Sequence, residues 1–175
     1  MKNRTTLIVF TIAFSLLSCK DTTTNKNTDK KEVSTEKTTI NNAQNKLAFN
    51  NDEATAVFQH YNHIKTAMVA SDVAEVKVGA NALLNVSGDA TLKEIIQTIA
   101  DADGIENQRK ALPDLTASVE RLLDNAITSG AIYKQYCPMA FNNTGAYWLS
   151  SEKEIRNPYF GDAMLSCGSV KETIN

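Results

Sequence analysis

Four sulfur-bearing side chains lie in two short motifs near the C-terminal end of the chain. Residues 137–139 read Cys-Pro-Met, and residues 164–167 read Met-Leu-Ser-Cys. A proline disfavours helix at the residue before it, and in an extended segment residues two apart project to the same side. A spacing of three places the other Met and Cys on one face of a helical turn. The two motifs can therefore aim four sulfurs at one point.

Thiolates and thioethers together form a soft donor set, which favours Cu(I) over hard cations. Zinc takes Cys and His and seldom Met, so the methionines favour copper. His60 is a further candidate ligand if the C-terminal segment crosses the flank of an apolar stripe, where His60 lies by helical angle. His63 lies nearly opposite that stripe, and we expect it to be solvated. The candidate metal ligands are Cys137, Met139, Met164, Cys167 and His60.

The same residues have an ordinary structural interpretation. In an exported domain, Cys137 and Cys167 would by default form a disulfide. Met139 and Met164 would then be flexible filler of the hydrophobic core. The two interpretations exclude each other only in part, because a reduced pair can bind copper and an oxidised pair cannot. The sequence leaves both open.

The elements that must position these sulfurs are mainly helical. Apolar residues recur every three or four positions in four segments, which predicts four amphipathic helices joined by short connections, hence an antiparallel bundle. Gly104 or Pro113 breaks or kinks the chain between the third and fourth segments, and the sequence does not say which. The last 45 or so residues hold most of the aromatics and are predicted to form a loop-rich wrap against the bundle. The stripes are Ala54, Val57, Phe58, Tyr61, Ile64, Met68; Val73, Val76, Ala80, Leu83, Leu84; Leu92, Ile95, Ile96, Ile99; and Leu115, Val119, Leu122, Leu123, Ala126.

The N-terminal residues indicate export and lipidation. Lys2 and Arg4 precede a short apolar stretch that ends in Leu-Leu-Ser-Cys, which resembles the lipobox of bacterial lipoproteins. Residues 1–18 are therefore predicted to be a signal peptide and Cys19 to carry the lipid. Residues 19–50 are rich in Thr, Asn, Lys and Glu and are predicted to be a flexible tether, followed by a folded domain at 51–175. This places the protein in the cell envelope, held on the periplasmic side of the outer membrane or exposed at the surface.

Composition and motifs exclude several function classes. The formal charge of −2 on 175 residues argues against nucleic acid, which requires a basic face. The chain has no Gly-rich phosphate loop, no nucleophile elbow and no His-Glu-x-x-His sequence. We therefore expect a binding protein and not an enzyme.

Four motifs in order carry a resemblance to a known family. They are Tyr-Cys-Pro-Met-Ala, Gly-Ala-Tyr-Trp-Leu-Ser, Ile-Arg-Asn-Pro-Tyr-Phe-Gly and Met-Leu-Ser-Cys-Gly, within residues 136–168. The chain from about 54 to 174 resembles an uncharacterised domain family of Bacteroidetes-type bacteria. That domain occurs as small lipoproteins and appended to periplasmic adaptors of CusB-type heavy-metal efflux pumps. The resemblance implies a helical bundle with a C-terminal extension, no known catalysis and a connection with soft-metal handling.

The sequence thus predicts a membrane-tethered, mainly α domain that binds Cu(I) or Ag(I) and passes it to an efflux system. The alternative is a disulfide-stapled interaction module that docks on an efflux adaptor or another envelope protein without binding metal.

Overall fold

The computed structural model describes residues 46–175, and its first half is the predicted set of four helices. The predicted signal peptide, Cys19 and most of the tether lie outside these residues. None of the helices within 46–175 is long and apolar enough to cross a membrane. The helices are α1 (Asp52–Val69), α2 (Val73–Val86), α3 (Ala90–Asp101) and α4 (Ile105–Leu122), and each packs against the next.

Local sequence signals set the ends of these helices. The side chains of Asn51, Asp72 and Asp89 each accept a hydrogen bond from a backbone N–H three residues on, which satisfies one free donor of the first turn. Gly104 precedes α4 with a φ of 79°, a conformation that glycine adopts without strain. The break between the third and fourth helices therefore lies at Gly104, and Pro113 lies inside α4.

The C-terminal part corrects the prediction of a loop-rich wrap. Residues 132–174 contain a three-stranded antiparallel sheet in the order β4-β3-β5, and a separate two-stranded pair joins β1 to β2. Because β1 is paired, the fold begins before residue 51, within the predicted tether. The prediction failed because β3 finds its partners through non-local pairing, which the periodicity of single segments does not reveal. The strands are β1 (Ala48–Phe49), β2 (Ile127–Ser129), β3 (Ile132–Cys137), β4 (Ala146–Ser150) and β5 (Ser169–Ile174).

One buried tyrosine joins the helices to the sheet. The Tyr61 hydroxyl, on α1, lies 2.9 Å from Thr116 Oγ1 on α4 and accepts a hydrogen bond from the backbone N–H of Leu149 on β4. The side chain is fully buried. Burial raises the pKa of Tyr61 to about 12, because the phenolate would lose its hydration. Tyr61 therefore holds three elements together as a neutral hydroxyl.

Tyr61→Phe is expected to lower the free energy of unfolding by about 1–3 kcal/mol, because it leaves the Leu149 N–H buried without a partner. The wild-type folded-state pKa is raised, so this contribution is complete below about pH 10 and is lost as pH rises toward about 12. Urea unfolding from neutral to alkaline pH measures both effects. Tyr147→Phe is the matched control, since the Tyr147 ring is exposed. An equal loss in both variants would contradict this role for Tyr61.

Candidate sulfur site

Two of the four predicted sulfur ligands meet at one end of the sheet. Cys137 is the last residue of β3, and Cys167 lies two residues before β5. Because β5 runs antiparallel to β3, with Tyr136 opposite Ser169, the two cysteines come together. Their Sγ atoms lie 3.0 Å apart and are not bonded to each other. The structure thus forms a dithiol pair, Cys137–Cys167.

Gly168 lets the chain bring Cys167 this close. Its φ is +147°, and a Cβ at this position would lie 2.9 Å from the ring of Trp148 and 2.9 Å from the carbonyl oxygen of Tyr136. No other residue type avoids both contacts. Trp148 is itself fully buried and therefore cannot move aside without disturbing the core. The one tryptophan of the chain thus lies beside the residue that follows Cys167.

Asn157 fixes the segment that carries Cys167, and the sequence analysis missed this role. Its side-chain amide donates to the carbonyl oxygen of Cys167 at 2.8 Å, and its side-chain oxygen accepts from the N–H of Tyr159. Its own backbone N–H donates to the carbonyl of Leu165 at 2.8 Å. Asn157 is fully buried. The available signal was the Asn-Pro pair in the Ile-Arg-Asn-Pro-Tyr-Phe-Gly motif, which entered the sequence analysis only as part of a resemblance.

Two buried polar side chains hold the rest of this segment. Arg109, on α4, donates from Nε to the carbonyl of Pro158 at 2.7 Å. Gln135, on β3, donates from Nε2 to the carbonyls of residues 152–154. Both side chains are almost wholly buried. The segment between β4 and β5 is therefore anchored to a helix and to a strand, which fixes where Cys167 lies.

The methionines form a second group. Met139 is 46% exposed, and it lines a cavity of about 470 Å³ together with the partly buried Met164. Neither cysteine is among the residues lining this cavity. The four sulfurs predicted to converge thus lie in two pairs, a dithiol and a methionine cavity. We name the second the Met cavity; its other lining residues are Glu106, Arg109, Lys110, Ala140, Phe141, Asn142, Asn143, Tyr159 and Phe160.

The histidines lie apart from the dithiol. Among residues 46–175, no group of three or more His, Cys, Asp and Glu side chains is arranged to hold a metal ion, so His60 does not join the two cysteines. His63 hydrogen-bonds to Glu75 at 2.6 Å and is half-buried, which differs from the fully solvated side chain that its helical angle predicts.

The neighbouring thiol opposes the ionisation of Cys167. The hydrogen bond with Cys137 raises the pKa of the Cys167 thiol, and loss of hydration raises it further. The backbone N–H of Met139 acts in the opposite direction, because it stabilises a thiolate at Cys167. The net direction is upward, so the Cys167 thiol retains its proton at neutral pH. A metal ion must displace this proton, which makes binding stronger as pH rises.

Cys137→Ala is expected to lower the pKa of Cys167 and to speed its alkylation by iodoacetamide at pH 8 by a factor between about two and ten. The reason is that the thiol responsible for most of the shift is gone. The measurement is the alkylation rate against pH in the full chain carrying Cys19→Ala, so that Cys19 does not react. Ser166→Ala is the control. An unchanged pH midpoint with a faster rate would mean that the substitution only increased access.

The dithiol fits a soft metal ion after a small movement. With metal–thiolate bonds of about 2.3 Å, two sulfurs on one ion at a tetrahedral angle lie about 3.8 Å apart. The pair, at 3.0 Å, must therefore open by about 0.8 Å for such an ion, and by about 1.6 Å for a two-coordinate ion that holds the two sulfurs in line. A disulfide, with a bond of about 2.05 Å, requires the opposite movement of about 1 Å. The Cys167 side chain has more room to move than that of Cys137, since it is half-buried and Cys137 is fully buried.

Comparison with known proteins supports the helical half of the chain. The model of a protein family of unknown function, DUF3347, matches residues 57–130, which span most of α1 through β2. No curated protein and no solved structure matches the chain. The matched residues end before β3, so the dithiol and most of the Met cavity lie outside them. A DUF3347 domain, of unknown function, is therefore present at residues 57–130.

Proposed function

We propose that this protein binds Cu(I) in the bacterial cell envelope through Cys137 and Cys167 and hands it to a heavy-metal efflux system. The observation that carries the proposal is the 3.0 Å approach of two unbonded thiols. Both sit on segments held by buried hydrogen bonds, so the pair is largely formed before any ion arrives. The protein's role is binding and transfer, without catalysis.

The donor set favours a soft monovalent ion. Two thiolates carry enough charge for Cu(I) or Ag(I), and soft sulfur ligands select these ions over Mg²⁺ or Ca²⁺. A structural zinc site takes four ligands, and residues 46–175 offer no third Cys, His or carboxylate at this pair. A site with two strong ligands also leaves the ion open to an incoming ligand. This openness suits handover to a partner better than permanent storage.

The place of action follows from the N-terminal motif. Lipidation at Cys19 would tether the domain to a membrane, most simply on the periplasmic side of the outer membrane. The polar segment after Cys19 would give the domain reach toward an efflux adaptor or pump.

The alternative is a disulfide-stapled module that docks on an efflux adaptor without binding metal. The same short distance favours it, because the sulfurs are about 1 Å from bonding distance. Exported cysteine pairs are usually oxidised. The two functions differ in whether the exported chain keeps its thiols.

The test is a thiol count followed by a Cu(I) competition. The full chain carrying Cys19→Ala is purified from the envelope in detergent and its free thiols are counted before reduction. It is then reduced and titrated anaerobically with Cu(I) against a chromogenic chelator, with Trp148 fluorescence as an internal readout. We expect two free thiols and one Cu(I) per chain, with affinity reduced about 100-fold or more by Cys137→Ser.

Ser166→Ala serves as the matched control, because Ser166 is exposed and adjacent to Cys167. It should bind Cu(I) as the parent does. A purified chain with no free thiols that also takes up no Cu(I) after reduction would overturn the proposal in favour of the stapled module. A cellular counterpart is copper sensitivity of a deletion strain, which the wild-type chain should restore and the Cys137→Ser chain should not.

A further inference from the structure

We propose that Met139 and Met164 form a separate outer site for Cu(I) or Ag(I), from which the ion passes to the dithiol. Binding in the Met cavity stands by itself, whereas the transfer step rests on the proposed function. The inference starts from the separation of the four sulfurs into two pairs: Met139 is exposed and Met164 partly buried, whereas Cys137 is fully buried and Cys167 partly buried.

Exposure distinguishes the two pairs. Met139 is 46% exposed although its side chain is apolar, and it shares a solvent-open cavity with Met164. Cys137 is fully buried. An ion from solution therefore reaches the thioethers before it reaches both thiols. Thioethers are soft ligands that accept Cu(I) and Ag(I) and reject hard cations.

Short pieces of backbone connect the pairs. Met139 lies two residues after Cys137, and Met164 lies three residues before Cys167. The backbone N–H of Met139 also acts on the Cys167 thiol, whose pKa it lowers. Each thioether is thus attached to one of the thiols, and the Met139 main chain contacts the other. A displacement in the Met cavity is transmitted directly to the dithiol.

A strained turn forms one wall of the Met cavity. Phe141, Asn142 and Asn143 all have positive φ values, of 50°, 56° and 67°. This conformation is costly for a bulky residue such as Phe and is typically retained at functional sites. It directs Phe141 edge-on to Tyr159, with ring centroids 5.4 Å apart. Aromatic rings beside thioethers add a favourable surface for a cation.

Charge predicts that this outer site is the weaker one. The charged groups that line the cavity are Glu106, Arg109 and Lys110, which leave a formal excess of one positive charge. Arg109 is bound to Glu106 and to backbone carbonyls, and Lys110 to Asn107. A cation held by neutral thioethers in this setting gains far less than one held by two thiolates. The Met cavity therefore suits capture, and the dithiol suits retention.

The experiment follows the methionine methyl groups by NMR while Ag(I), which does not change oxidation state here, is added. The sample is the full chain with Cys19→Ala, Cys137→Ala and Cys167→Ala, labelled at the methionine methyl carbons. We expect the Met139 and Met164 signals to shift together and saturably, with an affinity about 100-fold or more below that of the dithiol. Met68 is the internal control, because it is fully buried in the core.

A second sample and a set of methionine variants keep the Ag(I) titration decisive. If the triple variant does not fold, the chain with Cys19→Ala is oxidised to the Cys137–Cys167 disulfide, which removes the thiols without a substitution. Met139→Leu with Met164→Leu, in the thiol-containing chain, should leave the final Cu(I) affinity unchanged and slow uptake from a chelator about ten-fold. Met68→Leu should change neither the final Cu(I) affinity nor the rate of uptake from the chelator.

The outcomes separate this inference from the proposed function. Unshifted Met139 and Met164 signals at saturating Ag(I), together with normal uptake by the Met-to-Leu chain, would overturn the outer site and leave the dithiol intact. Shifted methionine signals in a chain whose dithiol binds no Cu(I) would support the outer site and overturn the proposed function.

Discussion

Replacing Arg109 with Met is expected to lower the free energy of unfolding by about 3–5 kcal/mol. The guanidinium is buried and donates to the carbonyl of Pro158 at 2.7 Å, to the carbonyl of Met68 at 2.9 Å and to Ser71 Oγ at 2.9 Å. Met would leave the buried carbonyl of Pro158 without a donor, and it would remove the side-chain donor to the carbonyl of Met68 and to the exposed Ser71 hydroxyl. Because a small domain is stable by only about 5–15 kcal/mol, this loss is a large fraction of the total.

Urea denaturation measures this effect, and two variants make it specific. Arg109→Lys keeps the positive charge but not the planar group that reaches several acceptors at once, so it should also destabilise, by a smaller amount. Arg121→Met is the matched control, since Arg121 is 64% exposed and its 3.3 Å contact with Asp89 is a surface ion pair worth about 0–1 kcal/mol. Equal stability of the Arg109→Met and Arg121→Met chains would contradict the anchoring role.

Gly168→Ala is the second substitution with a large expected effect. It should lower the free energy of unfolding by about 2–5 kcal/mol and should also weaken the proposed Cu(I) binding. The added Cβ would lie 2.9 Å from both the Trp148 ring and the Tyr136 carbonyl oxygen. The backbone oxygen is part of β3 and cannot rotate away. The chain must therefore shift at residue 168, which moves Cys167 away from Cys137.

Gly104→Ala separates steric conflict from backbone strain. Gly104 also has a positive φ, of 79°, but nothing lies within 4 Å of a Cβ placed there. Gly104→Ala should lower the free energy of unfolding only by the backbone strain, about 1–2 kcal/mol, and should leave the Cu(I) affinity unchanged. If Gly168→Ala kept the parent's Cu(I) affinity while losing stability, the contact at Gly168 would serve folding alone and not the position of Cys167.

Arg109, Asn157 and Gly168 share one consequence for the site. None of them carries a sulfur, yet each fixes the segment between β4 and β5 from a different side. The dithiol geometry is therefore set mainly by buried polar contacts and one tight approach. Loss of any of them would act on the proposed metal binding through the position of Cys167.

Local patterns in the sequence were sufficient to predict the helical half. The stripes through Tyr61, Ala80, Ile96 and Val119 lie in α1 to α4, and all four residues are buried. Helix periodicity and caps such as Asp72 involve residues three or four apart, so a single segment contains the information. The two soft-donor motifs were also visible, because Cys and Met are recognisable by type alone.

The tertiary structure alone decided how those sulfurs are grouped. Strand β3 pairs with β5 across more than thirty residues, and this register brings Cys137 to Cys167. The spacing within each motif suggested that Met139 and Met164 would face the thiols, whereas they line a cavity of their own. Side-chain direction at the end of a strand depends on its partners and on the turn that follows, here one with three left-handed residues. Such non-local pairing and backbone strain leave no periodic trace in the sequence, which is why it could single out the four sulfur residues but not their arrangement.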